Sequence, residues 1–106
     1  MKVRRTLRHF WQRITRGWDD GDIYHLGYTI AKFSKPRLIL FKEKACSFGH
    51  PGNITSEEWD NIVDKMIVGT DLLIRDVEGE ILSEEDHTRA MEGLELLGKW
   101  MADLWW

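Results

Sequence analysis

Between Asn53 and Asp76 apolar residues recur at spacings of three and four. Trp59, Ile62, Val63, Met66, Ile67, Thr70, Leu73 and Ile74 therefore share one face of a predicted helix. Thr55 and Glu58 form a capping box at its start, each side chain suited to one backbone amide left open in the first turn. Asp60, Asp64, Asp71 and Asp76 fall off the stripe and make the opposite face acidic. The rest of the chain is expected to pack around this helix.

The same period appears in three other segments. Residues 1–17 place Val3, Leu7, Phe10, Trp11 and Ile14 in a stripe that Trp18 continues, with Arg4, Arg5, Arg8, Arg13 and Arg16 around it. Gly17 is suited to end that helix. In the polar break that follows, Asp19 or Asp20 is placed to cap the next helix, and Asp22 to meet the positive end of its macrodipole. Ile23, Leu26, Ile30 and Phe33 carry the period forward, and Leu38, Leu40 and Phe41 resume it after Pro36. Proline removes one hydrogen bond of the helical ladder. Because the phase is nearly kept across it, one helix from about Asp22 to about Ala45, kinked at Pro36, is expected.

Ala45 to Asn53 reads as a loop, with His50-Pro51 between Gly49 and Gly52. Val77 to Leu82 turns around Gly79. Ser83 then caps a last helix, with Asp86 at the capping-box position and Glu84 and Glu85 in the first turn. His87, Ala90, Met91, Leu94, Leu97, Met101, Leu104 and Trp105 mark one face of that helix, which is expected to run to the chain end. A glycine inside a helix costs about 1 kcal/mol against alanine, so Gly93 and Gly98 predict that another helix approaches closely at both. No strand alternation or internal repeat is present. The expected fold is all-α: a small bundle of about four helices in a single domain, residues 1–106, with helix 1–17 either closing the core or peripheral.

At 106 residues the chain suffices for one core. No apolar run approaches the roughly 20 residues that span a bilayer, and no apolar signal region follows the basic start, so a cytosolic protein without a membrane span is expected. Cys46 is the single cysteine, read as a small buried hydrophobe. The net charge of −3 conceals a gradient: residues 1–17 hold six bases and no acid, while residues 55–106 hold 14 acids against four bases, a net −10. The basic helix then has several readings. It lies on the acidic helices of its own fold, or it sets Arg4, Arg5, Arg8, Arg13 and Arg16 against nucleic-acid phosphates, or it meets lipid headgroups.

Candidate chemistry is thin. Glu84 and His87 have the Glu-x-x-His spacing of di-iron bundles, but the second copy and the two further glutamates are missing. Cys46 and His50 are two zinc-type ligands where a closed site needs four. No phosphate loop, nucleophile elbow or zinc-protease motif occurs. The expectation is a non-enzyme with no catalytic residue, cofactor or metal. The acids of the last two helices read as a solvated face, or as a mimic of nucleic-acid phosphates that blocks a basic cleft. Trp59 and Trp100 read as core. Trp105 and Trp106 need a surface: either they fold back on Phe10 and Trp11, or with them they build a contact to a protein partner or a second copy.

The segments Gly-Trp-Asp-Asp (17–20), Tyr-Thr-Ile-Ala-Lys-Phe (28–33), Pro-Arg-Leu (36–38), Gly-His-Pro (49–51), Thr-Ser-Glu-Glu-Trp-Asp (55–60), Asp-Lys-Met-Ile (64–67) and Glu-Gly-Leu-Glu-Leu-Leu-Gly-Lys-Trp (92–100) follow in an order that resembles a group of small bacteriophage and prophage proteins without assigned activity. The resemblance covers nearly the whole chain. It implies a phage-encoded protein, in the host cytoplasm or associated with the virion, and brings no catalytic residue with it. Gly69-Thr70-Asp71 departs from the more apolar and aromatic stretch expected of the group, which implies looser packing at the far end of that helix.

Overall fold

The computed structural model describes residues 2–16, 25–46 and 48–105. Among them are four α-helices and no strand: α1 (Lys2–Arg16), α2 (Leu26–Lys44), α3 (Ser56–Val77) and α4 (Glu84–Trp100), followed by a 3-10 turn, Met101–Asp103. The all-α expectation holds. The predicted stop at Gly17, the cap at Asp19 or Asp20, the first-turn Asp22, the start of α2 near Asp22, and the stripe positions Trp18 and Ile23 lie outside the described residues. No described helix is long and apolar enough to cross a membrane.

The chain divides into two compact units, Met1–Ile30 and Ala31–Trp106. In the first, α1 carries the predicted stripe, and Leu7, Phe10, Trp11 and Ile14 are all exposed. Thr15 folds its hydroxyl back onto the Trp11 carbonyl at 3.0 Å.

The second unit holds the core, and α3 is its centre. Its start is the predicted capping box, with Thr55 Oγ1 accepting from the Glu58 amide and Glu58 Oε1 from the Thr55 amide, both at 3.1 Å. Trp59, Val63 and Met66 are buried as expected and cluster with Leu38 of α2, Cys46 and Leu97 of α4. Thr70 is fully buried, and its hydroxyl donates to the Met66 and Ile67 carbonyls at 3.1 and 2.9 Å, so burial leaves no polar atom unsatisfied.

Further along α3 the buried residue is Leu72, not the expected Leu73 or Ile74. The reason is a second contact side opened by Gly69. A Cβ placed there would sit 2.8 Å from Gly93 Cα, and one on Gly93 would sit 2.2 Å from the Lys65 carbonyl oxygen. The backbones of α3 and α4 thus touch. This corrects the expected looseness at the far end of α3, where Gly69, Thr70 and Leu72 are buried. It supports the close approach read from Gly93 and removes the one read from Gly98, whose Cβ would meet nothing within 4 Å. The face of α4 shifts accordingly: Ala90, Gly93 and Leu97 are buried, while His87 and Met91 are exposed.

The turn between α3 and α4 is built on Gly79 at φ 100°, a region that favours glycine. The Glu80 amide reaches the Arg75 carbonyl at 3.0 Å and the Gly79 amide the Asp76 carbonyl at 3.1 Å, a Schellman closure. Arg75 locks it through a 2.6 Å ion pair to Glu80. Leu82 then tucks under Leu72 and Ala90. Ser83 caps α4 by accepting from the Asp86 amide at 3.1 Å; the Asp86 carboxylate turns to Arg89, also at 3.1 Å.

The expected single helix through Pro36 is observed, since α2 is helical on both sides of it. Near the proline, Arg37 donates to the Phe33 carbonyl at 2.8 Å with its guanidinium 3.7 Å from the centre of the Phe33 ring. Two ion pairs set α2 antiparallel to α3: Lys35 to Asp71 at 2.8 Å and Lys42 to Asp64 at 2.5 Å, seven residues apart on both helices. Asp64 and Asp71, read from the sequence as part of an acidic outer face, therefore hold α2 in register. At the other end, α4 does not run to the chain end. It stops at Trp100 and tightens into the 3-10 turn, which returns Leu104 to the core and leaves Trp105 exposed.

Candidate partner-binding site

The aromatic core runs outward to a surface recess. Phe41 and Trp100 both meet Trp59 edge-on, with ring centres 6.4 and 5.8 Å away. Trp59 is buried as expected, and Trp100 is half-buried beneath the Lys99 ammonium. On the far side of Trp59 a recess of about 250 Å³ opens, lined by Ala45, Phe48, Gly49, His50, Pro51, Trp59, Asp103 and Trp105. Its floor is buried, while Phe48 is 79% and Trp105 76% exposed. Two large rings standing in water beside a concave apolar floor are costly unless something covers them.

Each wall has a local cause. On the loop side the Phe48 amide donates to the Ala45 carbonyl at 3.0 Å, the Ile54 amide to the Pro51 carbonyl at 3.3 Å, and His50 Nδ1 to the same carbonyl at 2.9 Å. Opposite, the 3-10 turn after α4 presents Asp103 and Trp105, with the Leu104 amide donating to the Met101 carbonyl at 3.2 Å. Of the predicted partner-binding residues, Trp105 lies here, Trp106 lies outside the described residues, and Phe10 and Trp11 are exposed on α1 in the first unit. Phe48 and Asp103 were not singled out by sequence, and His50, read there only as a zinc-type ligand with Cys46, lines the recess instead. Phe48 carried a usable signal, a lone aromatic side chain inside a glycine-rich loop.

A second groove lies between α2 and α4, about 270 Å³, lined by Phe33, Ser34, Arg37, Leu38, Phe41, Leu97, Met101 and Leu104. Phe33 and Met101 stand exposed at its rim, but Arg37 already occupies the Phe33 ring face.

The candidate nucleic-acid residues fall on α1. Arg8 and Arg13 are exposed there and engage other groups of the protein. The side chains of Arg4, Arg5 and Arg16 are outside the description.

Among the described residues the chemistry-bearing groups singled out by sequence lie apart. Cys46 is buried, and burial first, then the neighbouring Asp60, pushes its thiol up, with Lys42 opposing, which disfavours the thiolate. Glu84 and His87 are both exposed on α4, where His87 lines a shallow surface with Met91, Glu92 and Glu95. Among the described residues no group of three or more His, Cys, Asp or Glu side chains is placed to hold a metal ion. No family model, curated protein or solved structure matches the chain.

Proposed function

We propose that this is a non-enzymatic helical protein that works by protein–protein contact, with the recess between Phe48 and Trp105 as its docking point. The observation that carries this reading is the pairing of two rings exposed by three quarters or more with a concave floor on Trp59. A few aromatic side chains around a desolvated pocket supply most of the energy of protein contacts. The fitting occupant is one bulky apolar side chain on a basic protein segment, because residues 55–106 carry 14 acids against four bases and Asp103 lines the recess. A second copy meeting this one recess to recess would bring the same acidity to the contact and is disfavoured. With the resemblance to phage and prophage proteins, the partner is a host or phage protein met in the host cytoplasm.

The test is affinity capture from host cells with the wild-type chain and a Phe48→Ala/Trp105→Ala variant, with light scattering to follow self-association. The reading requires a basic protein held by the wild type, released by the double variant, and joined by a photo-crosslinker placed at position 105. Identical captures by both chains would overturn it.

A further inference from the structure

We propose that α1 is an interfacial helix that lies on an anionic lipid surface, a role separate from the recess and independent of it. Leu7, Phe10, Trp11 and Ile14 follow one another at spacings of three, one and three and are 61%, 61%, 66% and 60% exposed. They form one apolar face about 100° wide, with Leu7 and Ile14 along its middle and the Phe10 and Trp11 rings at its two edges. Residues 1–17 add six bases and not one acid. Of the four described helices, α1 segregates its apolar from its polar positions most sharply and has the most polar average composition. That combination distinguishes a helix that rests in a headgroup layer from one that packs in a core or crosses a bilayer.

Anionic lipid accounts for both faces at once. A weak apolar anchor and a basic face each give marginal attachment alone and firm attachment together. Each basic residue near an anionic surface strengthens binding about fivefold. Nucleic-acid phosphates would use the arginines but leave Phe10 and Trp11 in water.

The experiment is co-sedimentation of the full chain with phosphatidylglycerol vesicles and with phosphatidylcholine vesicles, at low and physiological salt. Wild type is expected to bind the anionic vesicles at least tenfold more tightly than the neutral ones. Phe10→Ser/Trp11→Ser should lower that binding at least tenfold with unchanged thermal melting, and Arg8→Gln/Arg13→Gln should lower it on anionic vesicles alone. Failure to sediment with phosphatidylglycerol overturns the proposal, as does equal sedimentation of the Phe10→Ser/Trp11→Ser variant. So does binding confined to a DNA or RNA duplex, or a dimer dissolved by the Phe10→Ser/Trp11→Ser change with no vesicle binding.

Discussion

Gly69 and Gly93 face each other across the α3–α4 crossing with no side chain between them, so that a Cβ on either would lie 2.8 Å from the Cα of the other. Contact at this distance leaves no room for adjustment, because what a methyl group would meet is backbone. Next to the seam Thr70 is fully buried and Leu72 packs with Leu82 and Ala90. On this seam depends the position of the α4 C-terminus, and with it the wall of the recess that carries Trp105.

The α2–α3 register is held by charge and should respond to pH. The hydrogen bond from Lys35, helped by Arg75, holds the Asp71 carboxyl below its ordinary value of 3.8 against the opposing effect of burial. The folded protein then binds that proton less readily than the unfolded chain. The stabilisation is complete above 3.8 and is lost as pH falls through the lower folded value. Both side chains are about one-third exposed, so the effect is under about 1 kcal/mol. Asp71→Asn should flatten the melting-temperature profile measured between pH 6 and pH 2. An unchanged acid limb would show that the pair is not formed.

The Lys42–Asp64 pair acts at the other end of the scale. The hydrogen bond to Asp64 raises the Lys42 ammonium above 10.5. Its contribution is full below 10.5 and disappears as pH rises through the raised value. Lys42→Met should therefore reduce the loss of stability seen on alkaline titration, and thermal melts between pH 8 and pH 11.5 would report it.

Gly79 holds the α3–α4 turn at φ 100°. Open space surrounds it, so alanine there meets backbone strain and no clash. Gly79→Ala should destabilise by about 1–2 kcal/mol, with a melting temperature lower by roughly 4–8 °C per kcal/mol for a domain of this size. Urea denaturation would measure it directly.

Removing the recess rings should separate binding from stability. Phe48 and Trp105 are so exposed that Phe48→Ala and Trp105→Ala should shift stability by less than about 0.5 kcal/mol. A partner seated on them should lose about 2 kcal/mol or more, some 30-fold in affinity. Calorimetric titration of the captured partner against each variant measures the second figure, and melting the first.

Local signals in the sequence translated directly. Thr55 with Glu58, Ser83 before Glu84 and Glu85, and Gly79 after Val77 fixed where helices begin and end, because a cap or a positive φ is a property of a few neighbouring residues. Relations between helices were only partly legible. Gly93 and Gly98 are five residues apart, about 140° around a helix, so a single neighbour cannot lie against both; the structure uses Gly93 and pairs it with Gly69, which looked like a weak spot. Asp64 and Asp71 looked like solvated acids because their lysine partners are 22 and 36 residues away. The recess was half visible. Trp105 stood out as a terminal aromatic residue, but nothing in the chain order says that Phe48 lies across from it.

The most direct measurement is a comparison of thermal melting for Gly93→Ala and Gly98→Ala. Alanine at Gly98 meets nothing within 4 Å and should raise stability by about 0.5–1 kcal/mol through helix propensity. Alanine at Gly93 would drive its methyl against the Lys65 carbonyl oxygen and Gly69, and should lower stability by about 1–3 kcal/mol or more. Opposite shifts support a backbone-to-backbone seam between α3 and α4. A Gly93→Ala protein that melts at or above the wild-type temperature contradicts it.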